Sequence, residues 1–219
     1  MANHDWLLKP LERSIDDGRV SPFFEWVENI RKPTDFAPAA QQIFWHSLSF
    51  PRAIGLMMAG ISFEASEVLP VLSKHAFEEA DHHILLSRWM IKHGLIGQHS
   101  ELKGFAPSLE TSACINVGYE IALQRDVEKW LVVYNCAIEA CSQQLFQVLA
   151  SQMTSIGCGD KYFDIHVGAD EEHKRMGLDF IGDHSPTSLR GRELVDKGLE
   201  SVALWRRMLD SWVPRRERP

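Results

Sequence analysis

A chain of 219 residues, 45% hydrophobic and 24% charged, has the composition of one globular domain with a sizeable core. Its formal net charge of -7 argues against a nucleic-acid surface, because neutralising phosphates takes a clustered basic face. The start, Met1 to Trp6, lacks a basic region followed by an apolar one, and no stretch reaches the roughly 18 to 20 apolar residues that span a bilayer. A cytoplasmic protein with no nucleic-acid and no membrane partner is therefore expected, acting on a small molecule.

Apolar residues recur at intervals of three and four almost throughout, and period-two alternation is missing, which predicts an all-α chain. Ser21-Pro22 opens a first helix and Lys32-Pro33 closes it. Further helices are predicted over Pro38 to Ser49, Pro51 to Ser62, Glu64 to His93, Leu109 to Gln124, Asp126 to Thr154, Lys161 to Gly182 and Leu189 to Trp212. The breaks at Gly94, Gly104 to Pro107, Gly157 to Gly159 and Asp183 to Pro186 are short, so neighbouring helices run antiparallel. One domain over residues 1 to 219 follows, its core bundle at about 20 to 212, with frayed ends including the basic run Arg215 to Arg218. Cys114, Cys136, Cys141 and Cys158 form no CxxC pair and read as buried thiols.

Two helical stripes carry polar groups where a core should be. Phe163, His166, Asp170, His173, Gly177 and Phe180 follow alternating steps of three and four, so they share a face whose apolar ends bracket two histidines and a carboxylate. Leu72, His75, Glu79, His82, Leu86 and Trp89 repeat the construction, and Glu79 with His82 has the Glu-x-x-His spacing of carboxylate-bridged metal sites. Glu139 stands alone in the most apolar helix, with no cation nearby in sequence. Buried ionisable groups cost several kcal/mol unless paired or metal-bound.

Glu79, Glu139 and Asp170 with His82, His166 and His173 offer three carboxylates and three imidazoles, an oxygen and nitrogen set that suits two iron ions, or manganese, better than structural zinc. On the first stripe His75, Glu78 and His83 crowd the same turn and stand as substitutes for Glu79 or His82. His46, His75, Asn135 and Ser142 are candidates for a substrate pocket, and His75 equally for orienting a ligand.

The His166-x-x-x-Asp170-x-x-His173 motif, with Glu139 upstream and Glu-x-x-His at 79 to 82, resembles the heme-oxygenase-like diiron oxidase family over roughly residues 40 to 182. The resemblance implies a heme-oxygenase-like bundle of about seven helices, a diiron cofactor and activation of dioxygen as cosubstrate. It implies Glu79, His82 and His166 on one iron, and Glu139, Asp170 and His173 on the other or bridging. It also implies an external electron donor and oxidation of a small organic substrate. The chemistries known among its members are N-oxygenation of an amine or amino acid, and oxidative C–C cleavage or decarboxylation. Some relatives separate the first glutamate and histidine by seven residues; here Leu86 follows Glu79 by seven, and His75 precedes His82 by seven.

Other folds fit less well. A heme oxygenase needs no carboxylates, and a thiaminase-like protein depends on a cysteine without metal. A ferritin-like diiron protein needs an inward glutamate one helix earlier, yet Phe36 to Phe63 contains no Asp or Glu. A non-catalytic metal-binding or metal-storage bundle is the alternative function, and a homodimer is compatible with either.

Overall fold

The structure is a computed structural model, and it describes residues 4–214 apart from the side chains of 169–171. The N-terminal α1, Asp5–Asp17, corrects the expectation of a frayed start: Leu7, Leu11 and Ile15 recur every four residues, are buried, and pack the helix against the C-terminal one. The run Arg215 to Arg218 lies outside the described residues.

Pro22 opens α2, Pro22–Glu28, as its sequence position predicts. Pro33 does not close that helix but stands at the first position of α3, Pro33–Gly60, where its missing N–H costs nothing. The two helices predicted over 38 to 62 are one, with Pro38 and Pro51 inside it. Packing of α3 against the helices that follow it outweighs the hydrogen bonds lost at Pro38 and Pro51.

The single helix predicted over 64 to 93 is three pieces: a 3-10 stretch Phe63–Val68, α4 Leu69–Glu79 and α5 His82–Lys92. The break at Ala80 and Asp81 falls between Glu79 and His82. After α6, Leu109–Gln124, Arg125 takes a left-handed φ of 58° and Asp126 caps the next segment by accepting from the Lys129 N–H at 3.0 Å. That segment is one rod in three parts: α7 Val127–Trp130, a π-helical stretch Leu131–Glu139, and α8 Ala140–Ser155. All nine residues of the π stretch are buried.

The helix predicted over 161 to 182 stops early, as α9 Lys161–His173. Gly177 has φ 84°, a left-handed conformation that no α-helix continues through and that strains an L side chain, and a Cβ there would lie 2.6 Å from Leu131 Cδ2, which would have to shift. The last helix, α10 Leu189–Ser211, packs on α1, α6 and the π stretch. No strand occurs among the described residues, and the chain is an all-α single domain. No helix is long and apolar enough to cross a membrane. The four cysteines are free and buried, as expected.

Candidate metal centre

Four segments deliver polar side chains to one buried point: α4 brings His75 and Glu79, α5 His82, the π stretch Glu139, and α9 His166 and His173. All six are buried. One donor atom each from His75, Glu79, Glu139 and His173 lie within 4.8 Å of one another, and so do those of Glu79, His82 and His166. Glu79 belongs to both groups.

The charge partners of Glu79 and Glu139 among the described residues are all histidines. His75 Nε2 donates to Glu139 Oε1 at 2.9 Å, and His173 Nδ1 lies 3.5 Å from both Glu139 Oε2 and Glu79 Oε1. The distant Lys or Arg that would have made Glu139 an ordinary buried ion pair does not appear. Burial raises the Glu139 pKa, but the close approach of His173, the hydrogen bond from His75 and the charge of both outweigh it and hold the carboxyl well below the usual range. On His173 burial opposes the charge, yet the Glu139 carboxylate 3.5 Å away, the field of Glu79 and the hydrogen bond to Glu78 lift its pKa to about 9.

The outer nitrogens of His75, His166 and His173 are already engaged, which fixes the direction of their inner ones. His166 Nδ1 donates to the Tyr162 carbonyl at 2.7 Å, leaving Nε2 with its lone pair. His173 Nε2 donates to Glu78 Oε2 at 3.1 Å, and Glu78 in turn lies 3.6 Å from Lys74 Nζ. Asn135 Nδ2 donates to the His173 carbonyl at 3.0 Å, and it approaches His75 Nδ1 at 3.4 Å. Burial first, then repulsion from His82, drives the His166 pKa down to about 3, so this imidazole is neutral and ready to ligate.

Two inner nitrogens are left over. His173 Nδ1 and His82 Nδ1 are buried without a hydrogen-bond partner; His82 Nδ1 sits 2.8 Å from Glu79 Oε2 but out of line for a bond. Orphaned nitrogens facing carboxylates, in a set of oxygen and imidazole donors without thiolate, fit iron or manganese.

His75 and Asn135, expected at a substrate pocket, lie in this cluster instead: His75 among the possible ligands and Asn135 behind it, clamping His75 and His173. Glu78 serves neither as Glu79's replacement nor as a bystander, since it orients His173, and the sequence signal for it is only its position three before Asp81 in an acidic turn. His83 packs by its ring against Phe44 and His99, away from the centre. Asp170 lies outside the described residues.

A cavity adjoins Glu79, Glu139 and His166 on the side of α3 and α10. His46 and Ser142 line it, as expected of pocket residues, together with Ser47, Phe50, Trp205 and Trp212. Trp212 is held there by a 2.9 Å hydrogen bond from its Nε1 to Thr111 Oγ1.

Fold and cluster together define an all-α protein of heme-oxygenase-like architecture built around a buried histidine and carboxylate centre suited to metal. The sequence pattern of a family described as iron-containing redox enzymes matches residues 38–206, and the chain belongs to that family. Among solved structures it is similar to a TenA homolog from Pseudomonas syringae pv. tomato at 14% identity and a TM-score of 0.78, covering 94% of this chain and 91% of that one. It is also similar to a domain of unknown function with a heme oxygenase-like fold from Shewanella denitrificans, at 18% identity, TM-score 0.73, and coverage of 93% and 89%. A TenA homologue from Pyrococcus furiosus aligns at 13% identity and TM-score 0.63, over 94% of this chain and 96% of that one. These likenesses establish the fold. A search of curated proteins gives no match.

Proposed function

We propose that this iron-containing redox enzyme is a non-heme diiron oxidase that uses dioxygen to oxidise a small organic substrate. The observation that carries the reading is the pair of donor groups sharing Glu79: two ligand sets meeting at one carboxylate suit two ions better than one. Glu79, His82 and His166 would hold one ion, and His75, Glu79, Glu139 and His173 the other, with Asp170 retained as a ligand on its spacing alone. His75 thereby joins the set as a ligand.

Two irons, reduced by an external donor, would supply dioxygen activation and the electrons for substrate oxidation. The chain's own residues prepare the place. Asn135, Glu78 and the Tyr162 carbonyl fix the rings of His75, His173 and His166 before any ion arrives, so ligation demands little rearrangement. Phe146 stacks on His166 with ring centroids 3.8 Å apart, and Ile138 and Leu145 continue the apolar wall, keeping bulk water from the centre.

Iron analysis of protein reconstituted with ferrous iron under argon, followed by stopped-flow mixing with oxygenated buffer, tests the proposal. Two irons per chain and protein-dependent dioxygen consumption are expected. Bound iron with no dioxygen consumption would leave a non-catalytic metal-binding bundle, and no bound iron would end the reading.

A further inference from the structure

The cavity beside the centre has polar side chains with nothing to bond to. Of its lining residues, His46, Ser47 and Ser142 make no hydrogen bond to any described residue. His46 is held by rings instead: Trp205 meets it edge-on at 5.1 Å and 85°, and Phe50 lies tilted at 5.9 Å. By surface area His46 is only half-buried, yet protein encloses it well enough that burial pushes its pKa down to about 4. The surface it keeps therefore belongs to the cavity. Its neutral imidazole offers one donor and one acceptor.

The charge pattern narrows what can enter. No lysine or arginine lines the cavity among the described residues, so an anionic group finds no side-chain counter-charge there. Glu79 and Glu139 face it, but in the diiron reading, on which this argument rests, both are committed to metal and give a cation nothing. About 30 Å³ is open to the centre of a water molecule, room for roughly two waters, so the group received is small.

We infer that this cavity is the substrate site and that the part of the substrate it receives is an uncharged polar group, such as a carboxamide or hydroxyl, hydrogen-bonded by His46 with Ser47 and Ser142. An imidazole that no described protein group bonds gains a fixed partner when such a group enters, and an apolar group offers it none.

Acetamide, acetate and acetamidinium have nearly the same shape and differ in charge, and they serve as probes. Each is titrated into the ferrous protein under argon, followed by ligand-observed NMR, for the wild type and for His46→Leu and His46→Gln. Acetamide is expected to bind the wild type, to lose affinity by about tenfold or more in His46→Leu, and to stay within about threefold in His46→Gln, which keeps a donor and an acceptor. Acetate and acetamidinium are expected to bind both the wild type and His46→Leu equally, or neither. Failure of acetamide to bind the wild type, equal binding to His46→Leu, or an equal loss in His46→Gln and His46→Leu would overturn the inference. So would His46-dependent acetate or acetamidinium binding tighter than that of acetamide. Iron content is measured in the same samples: wild-type protein without iron overturns the diiron reading, whereas iron present with His46-independent acetamide binding overturns only this one.

Discussion

Glu79 and His82 stand three residues apart on two different helices, α4 ending at the glutamate and α5 beginning at the histidine, with Glu79 Oε2 2.8 Å from His82 Nδ1. Glu79 also faces His173 at 3.5 Å across the centre. It is the one side chain common to both donor groups.

Removing Glu79 should therefore cost more than removing any other ligand. In Glu79→Ala the iron content is expected to fall from about two per chain to near zero, and in Glu139→Ala or His166→Ala to about one. Metal analysis of the reconstituted variants reads this directly, and a Glu79→Ala protein that keeps one tightly bound iron would show that the two sites do not share it.

The metal-free protein should be sensitive to alkali. Because the folded His173 pKa of about 9 lies above its ordinary 6.5, its charge stabilises the fold fully below pH 6.5, and that contribution is lost as the pH rises through 9. His166 has the opposite sign: with a folded pKa near 3 it destabilises the fold as the pH falls below 6.5. Thermal melts of the metal-free protein should peak near pH 6.5 to 7 and decline towards pH 9, while the loaded protein, whose His173 has given its proton up to metal, should hold its Tm over that upper range.

Metal and that proton compete for one nitrogen. Apparent iron affinity should rise by about tenfold per pH unit between pH 7 and 9, one proton being released on binding. Chelator competition across this range measures it, and a pH-independent affinity would show that His173 is no ligand.

Among the described residues of the centre, Glu78 bonds only His173 Nε2, at 3.1 Å. Glu78→Gln should weaken metal binding by about 10- to 100-fold with little change in secondary structure, as loss of an outer hydrogen bond to a ligating histidine does. Chelator competition alongside circular dichroism separates this from unfolding.

Gly118 on α6 leaves room for the rod that carries Glu139. A Cβ built there would lie 1.5 Å from Tyr134 Oη, in the middle of the π stretch. Gly118→Ala is expected to destabilise by about 1–3 kcal/mol or more, through displacement of Tyr134 from its stack on Trp130. Denaturant melts check the size, and near-wild-type stability would mean that the rod can shift.

Much of the centre was legible because charge on an apolar stripe has few explanations. His82, Glu139, His166 and His173 are buried and brought together at one point, and the all-α fold followed from the periodicity. The break after Glu79 was not legible: the apolar spacing on either side of Ala80 and Asp81 is that of a continuous helix, and the break shows only in three dimensions. The π stretch was hidden likewise, since Leu131 to Ile138 is apolar apart from Asn135 and gives no period to read. Helix α1 had a signal, Leu7, Leu11 and Ile15, that Pro10 and the terminal position obscured. Pro33 was read as a stop although a proline at the first helical position is equally a start.

The π stretch also acts as an angular setting. A π turn takes in more residues than an α turn, so Leu131 to Glu139 are wound through less angle about the rod than an ordinary α-helix would give them. Substitutions that returned this stretch to ordinary α-helix would therefore rotate everything beyond it against its neighbours. Glu139 would swing away from His75 and His173, and Ser142 and Phe146 would leave the cavity wall together with it. The donor cluster and the cavity beside it are thus set by one dial, and neither can be re-aimed along this rod without moving the other.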